Sequence, residues 1–518
     1  MTTPAKSPTL EPVPPLAGDP PAFGNLMGHP RPLWMLFMTE FWERFAFYGI
    51  RWAMVLYIVA HFYGGAGEGQ KPASELYGAY LALVYGAAIF GGYAADKLIG
   101  HQRSILLGAA IMAVGLFMLI LPTQNLFKLG LATIIVGNGL FKPIISTLVG
   151  KLYAQGDERR DSGFTIFYMG INAGAFAAPI ITQVLAKKVF GIENMPAYEI
   201  VFIASGIGMV LSLVWFWFGR HQLRSIGLPQ PTQTGLRNVL LVAGVGILVG
   251  IPLFYWLLTI PASMLNWILI ALLVGPAVML LVEGVKEGKI SRDKVIAMLI
   301  ILTFNVFFWC FFEQAGSSFN FLAESLIERD VGMHGVFNLL AGEENFPVSW
   351  FQSINSVAII TMAPLIAWIW IKMGSANPTI PRKFSLGLIF NGLAFLLLMY
   401  ALTHLIAPDT GKIPFWTLFS VYWIQSIGEL CLSPIGLSMT TKLAPAKLSG
   451  FAMGAWFLSI AIGNNLAGMF AGEASGETGM TTGSALSAYT SGFWILMTAG
   501  VLLFLIAPLV NRLMHGVK

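Results

Sequence analysis

The chain alternates between apolar stretches and short polar connections, and each apolar stretch is near the ~20 residues that an α-helix needs to cross a bilayer. Six stretches fall at 33–62, 76–96, 104–121, 128–149, 162–186 and 199–219. Six more fall at 294–322, 350–371, 384–406, 414–440, 446–470 and 488–511. Between these sets, 238–259 and 264–282 form a pair with almost no connecting loop. The pattern predicts an all-α polytopic membrane protein built as two six-helix bundles plus an inserted two-helix hairpin, fourteen transmembrane helices in all. The expected divisions are a tail over 1–30, a first bundle over 31–225, the hairpin and its linkers over 226–290, and a second bundle over 291–518. The tail is rich in proline and lacks an apolar run, so it reads as disordered and without a cleavable signal peptide.

Composition agrees with a membrane setting, since 56% of the 518 residues are hydrophobic and 11% charged. Of the 30 lysines and arginines, only Lys71, Lys128, Lys187, Lys188, Arg329 and Lys412 fall outside if the N-terminus is cytoplasmic. Arg44, Arg51 and Lys142 lie within spans, and the others face the cytoplasm, which the positive-inside rule requires of an even helix count with both termini inside. The net charge of +5 thereby has a topological use and does not point to nucleic acid. Cys310 and Cys431 sit in apolar segments as packing residues, with no disulfide framework or metal cluster implied.

The charges left inside the spans carry the chemistry. The first span reads E-F-W-E-R-F-A-F-Y-G-I-R from Glu40 to Arg51. At about 100° per residue, Glu40, Glu43, Arg44, Phe47, Tyr48 and Arg51 share one stripe, and Glu40 and Arg51 stand about 16 Å apart along it. Such a stripe implies a wet interior, hence a transporter or channel. With Lys142, Glu313 and Glu429 the membrane holds seven ionisable groups. At roughly 2.5–3.5 kcal/mol each they cost about 20 kcal/mol if unpaired, more than the ~5–15 kcal/mol net stability of a domain. They must pair or face water. Four carboxylates against three cations leave one over, which is expected to carry a proton during part of a working cycle. The competing reading is a set of static buried pairs that give specificity of fold.

Between the second and third spans, Gly92-Tyr93-Ala94-Ala95-Asp96-Lys97-Leu98-Ile99-Gly100-His101-Gln102-Arg103 has G-x-x-x-D-K-x-x-G-x-x-R spacing. It resembles the cytoplasmic loop signature of the major facilitator superfamily, to which Gly92, Asp96 and Arg103 belong; glycine permits close helix approach, and Asp96 can accept from nearby amides and basic side chains and so latch the inner face. Glu40 to Gly49 resembles the E-x-x-E-R-F-x-Y-Y-G signature of the proton-dependent oligopeptide transporter family, with Phe47 where the family has its first tyrosine. Phe167-Tyr168-Met169-Gly170-Ile171-Asn172-Ala173-Gly174 resembles that family's F-Y-x-x-I-N-x-G, and further matches are Gly139 to Pro143, Phe312-Glu313-Gln314 and Gly428 to Pro434. These landmarks run from the first span to the tenth of the two bundles. The hairpin resembles the extra helix pair of bacterial members.

The resemblance implies a proton-coupled symporter that takes up di- and tripeptides by alternating access, with no cofactor, working as a monomer in the cell membrane. A short peptide is a zwitterion with fixed ends and variable side chains, so a broad site holds the ends by charge and tolerates the middle. By resemblance, Arg51 and Lys142 engage the carboxylate and Glu429 the amino terminus, while Asn172 and Asn355 offer donors and acceptors to the backbone. Tyr48, Tyr85, Trp309 and Trp456 form the wall. The family pattern also implies that Arg51 and Glu313 pair across the halves when the outer side is closed, and that Glu40, Glu43, Arg44 and Lys142 form a network within the first half. For the asparagines, interhelical hydrogen bonding is the competing reading, and for the tryptophans an interfacial or core place.

An enzyme is not expected. The chain has no H-E-x-x-H, G-x-S-x-G or G-x-x-x-x-G-K-[ST] motif, and Gly244-Val245-Gly246 lies inside an apolar helix rather than after a strand.

Overall fold

The computed structural model describes residues 20–154, 156–191, 196–230 and 235–517. Residues 1–19 of the expected tail lie outside them. Twelve helices among the described residues are long and apolar enough to cross a membrane. They are α1 (Pro32–Phe62), α2 (Gly67–Ile99), α3 (His101–Met118), α4 (Gln124–Gly150), α5 (Arg159–Val189), α6 (Tyr198–Leu223), the hairpin helices α7 (Leu236–Leu257) and α8 (Ala262–Glu287), and α9 (Lys289–Phe312), with α12, α13 and α16 below. Two short helices, α10 (Ser318–Ser325) and α11 (His334–Ala341), follow α9. Then come α12 (Trp350–Lys372), α13 (Ile380–His404), α14 (Phe415–Leu443), α15 (Ser449–Ser475) and α16 (Thr482–Leu513). The expected fourteen spans exceed those twelve by α14 and α15, which are 29 and 27 residues long.

Local signals account for the breaks. Gly100, at φ 80°, turns the chain between α2 and α3 in a conformation that side chains resist. Thr123 caps α4 by accepting from the Leu126 amide at 3.3 Å. Thr481 and Ser484 form a reciprocal capping box at the start of α16. One expectation fails: the apolar run 294–322 is not a single helix. It ends at Phe312, Glu313 leaves the helical conformation (φ −78°, ψ 46°), and the chain re-enters a helix at Ser318.

In the first half α1 packs on α5 and α6, and α3 and α4 pair closely. In the second, α13 packs on α14 and α16, and α9 on α15. The halves meet along α2 with α15 and α5 with α12, while α7 leans on α4 and α8 on α9 and α15. Polar contacts between halves cluster at the end opposite the chain termini. There the Asn320 amide donates to the Trp52 carbonyl at 3.0 Å, Ser349 to Pro179 at 3.2 Å, Ser353 to Phe176 at 2.9 Å, and Lys71 pairs with Glu477 at 2.6 Å. At the end bearing the termini, Met169 on α5 and Phe451 on α15 are about half exposed. The halves are therefore held together at the end opposite the termini, the closed end.

Candidate functional site

The charged stripe of α1 does face inward. The Arg44 guanidinium spans two carboxylates: it donates to both oxygens of Glu43, one at 2.7 Å, and its Nε lies 3.1 Å from Glu40 Oε1. Glu43 is fully buried and also accepts from the Asn138 amide at 3.4 Å. A bidentate guanidinium with an added amide is the geometry that offsets the desolvation of buried carboxylates. Glu40 keeps one buried oxygen without a hydrogen-bond partner.

Three turns further along, Arg51 reaches the other half. Its Nη2 lies 2.5 Å from Glu313 Oε2, its Nε donates to the Tyr77 hydroxyl at 3.0 Å, and its guanidinium sits 5.4 Å from the Tyr48 ring centroid. The break in α9 positions Glu313: as the residue that leaves the helix it turns its carboxylate toward α1. Gln314 anchors the break, donating to the carbonyls of Cys310 and Ala467 and accepting from Ser318.

Lys142 does not join the Glu40, Glu43 and Arg44 cluster by an ion pair. Its ammonium lies 3.8 Å from the Tyr85 ring centroid, a cation–π geometry on the edge of the interior. On the second half, Asn355 donates to Ser426 at 2.9 Å and to Glu429 at 3.2 Å. Five of the seven buried charges thus pair among themselves. Neither Lys142 nor Glu429 has an ion-pair partner among the described residues; one is a cation on the first half, the other an anion on the second.

The remaining expected residues divide. Trp309 is half-buried and donates to Asn305, which donates to Ser459. Asn172 gives its amide to the Tyr168 carbonyl of its own helix at 3.0 Å. Trp456 is fully buried, edge-on to Phe384 at 6.2 Å, and its carbonyl accepts from the Ser459 hydroxyl. Gly92 and Asp96 lie at the end bearing the termini, where Asp96 Oδ1 is 2.7 Å from His101 Nε2 and His101 Nδ1 is 3.1 Å from Lys151. Arg103 opens α3 beside them. Tyr77 and Asn138 were not singled out from sequence. Each is one polar group in an apolar helix, although Asn138 lies one turn before Lys142 and so shares its face.

A bundle of membrane-crossing helices in two packed halves, with charged side chains meeting between them and the halves joined at one end, is a multi-pass membrane protein of the major facilitator type. Its family follows from comparison: the POT family model matches residues 102–482, and the chain belongs to that family. It is 33% identical to the peptide transporter YePEPT of Yersinia enterocolitica over 520 residues, 96% of this chain and 98% of that one. It is equally 33% identical to dipeptide and tripeptide permease B of Photorhabdus luminescens over 504 residues, 95% and 98% of the two chains. A solved structure of a peptide transporter POT in complex with sulfate superposes with a TM-score of 0.80 at 32% identity, covering 96% and 98%.

Proposed function

We propose that this chain is a proton-coupled symporter of di- and tripeptides that works by alternating access. The observation that carries the reading is the pair of opposite charges without ion-pair partners, Lys142 on the first half and Glu429 on the second. A peptide carboxylate at Lys142 and its ammonium at Glu429 would complete both and draw the halves together, while Tyr48, Tyr85 and Trp309 give contact that tolerates varied side chains. The names of the relatives, peptide transporter and dipeptide and tripeptide permease, support the same substrate class.

Coupling follows from the cross-half pair. Protonation of Glu313 would release Arg51 and with it one latch of the closed end, and Glu40 with Arg44 and Glu43 would redistribute charge when a carboxylate arrives at Lys142. The positive-inside count supports cytoplasmic termini, which would set the closed end on the outer side. The chain would act as a monomer, without a cofactor, driven by the proton gradient.

The test is dialanine uptake into proteoliposomes under an inward proton gradient with a negative interior. Concentrative uptake that saturates and vanishes without the gradient supports the reading. Gradient-driven uptake of free amino acids or nitrate, with dipeptides failing to compete, would remove the end-group argument while leaving the fold in place.

A further inference from the structure

A crevice of about 740 Å3 lies away from the charged interior, on the flank of the first half where α3, α6 and the first hairpin helix α7 meet. Leu106, Leu107 and Leu213 line its wall, and Arg103 and Arg220 line it too. The Arg220 guanidinium is stacked 3.8 Å from the ring centroid of Trp217, which holds a planar cation at the edge of an apolar groove. Around it the surface is strongly apolar, with Phe218 73% and Leu236 71% exposed.

The charged residues that line the crevice are both cations, Arg103 and Arg220. Residues 97–156 and 200–282 contain no aspartate or glutamate, whereas Arg224 and Arg237 flank the crevice in sequence. The acid at its edge is Asp96, whose carboxylate engages His101. The crevice also lies at the end bearing the termini, because Arg224 beyond α6 donates to the Ala22 carbonyl at 2.5 Å.

We infer that this crevice is a binding site for an anionic phospholipid. Its phosphate lies against Arg103 and Arg220, and its acyl chains run along the apolar walls of α3, α6 and α7. Free phosphate would use the cations alone and leave those walls bare, and a zwitterionic lipid would set its own ammonium against the guanidinium groups. Basic pockets between membrane helices near the cytoplasmic face suit anionic headgroups. The lipid would also bridge the inserted hairpin to the first half, which gives α7 a role apart from the transport path.

The intact purified chain in detergent is titrated with phosphatidylglycerol, with phosphatidylcholine and with inorganic phosphate, reading bound lipid by native mass spectrometry and the thermal midpoint. Phosphatidylglycerol is expected to bind and to raise the midpoint, with no effect from the other two. Arg220→Gln should weaken binding about fivefold, the share of one interfacial arginine. Leu236→Trp, which obstructs the crevice and keeps its charges, should weaken it as well. Equal binding of both lipids, reproduction of the effect by inorganic phosphate, or parental phosphatidylglycerol affinity in both variants would overturn the assignment.

Discussion

Arg51 and Glu313 meet 2.5 Å apart across the two halves, each with its side chain only 11% exposed. Arg51 also holds the Tyr77 hydroxyl, so the pair is part of a three-residue latch at the closed end. Glu313→Gln keeps the side-chain shape and removes the charge. Gradient-driven uptake of dialanine is expected to disappear, while exchange of labelled for unlabelled dialanine continues at a rate within a few-fold of the parent. Loss of both in a protein that folds normally would place Glu313 in structure rather than in coupling.

Lys142 and Glu429 make separable predictions, because each is assigned to one end of the peptide. A hydrogen bond to a charged group contributes about 1.5–3 kcal/mol, or roughly 10- to 100-fold in affinity. In Lys142→Ala, dialanine should therefore lose its advantage over dialaninamide, which lacks the carboxylate. In Glu429→Gln it should lose its advantage over N-acetyl-dialanine, which lacks the ammonium. Competition in the exchange assay reads both ratios, and unchanged ratios would sink the end-group assignment.

Asn138 is fully buried, and its amide is the one donor outside Arg44 seen on Glu43 among the described residues. Replacing it by leucine removes that donor, and a buried acceptor left short costs about 1–3 kcal/mol. Asn138→Leu should lower the thermal midpoint in detergent, whereas Asn172→Leu, whose amide only bonds its own helix, should lower it less. A larger loss for Asn172→Leu would reverse the roles given to the two asparagines.

Much of this was legible because a membrane allows few solutions. Apolar length and the distribution of lysine and arginine placed the long helices, and 3.6-residue spacing put Glu40, Glu43, Arg44 and Arg51 on one inward stripe. Apart from Arg51 with Glu313, which the family resemblance implied, pairing between helices was not legible in the sequence. Nothing in the order of residues says that Tyr77 serves Arg51, that Asn138 serves Glu43, or that Lys142 lies over Tyr85 instead of joining the glutamates. The break at Glu313 was hidden for a different reason. The run from Glu313 to Ser318 is polar, but the turn is held by Gln314 bonding to the Ala467 carbonyl on another helix, which no spacing within the run reports.

The seam between α2 and α15 yields the last prediction. A Cβ on Gly78 would lie 2.5 Å from the Gly468 Cα, and one on Gly468 would lie 2.7 Å from the Gly78 Cα, so the two backbones touch where larger residues would hold them apart. That contact joins the halves on the side of Lys71 and Glu477, whose own pair at 2.6 Å is largely exposed and contributes little. Gly468→Ala or Gly78→Val should therefore weaken closure at that end more than loss of the surface pair does. With Lys71→Cys and Glu477→Cys introduced together, a short bifunctional thiol reagent should link the two sites readily in the parent, whose native cysteines are buried, and several-fold more slowly when either glycine is replaced. Equal rates would show that the glycine contact fills space without setting the balance between the two conformations.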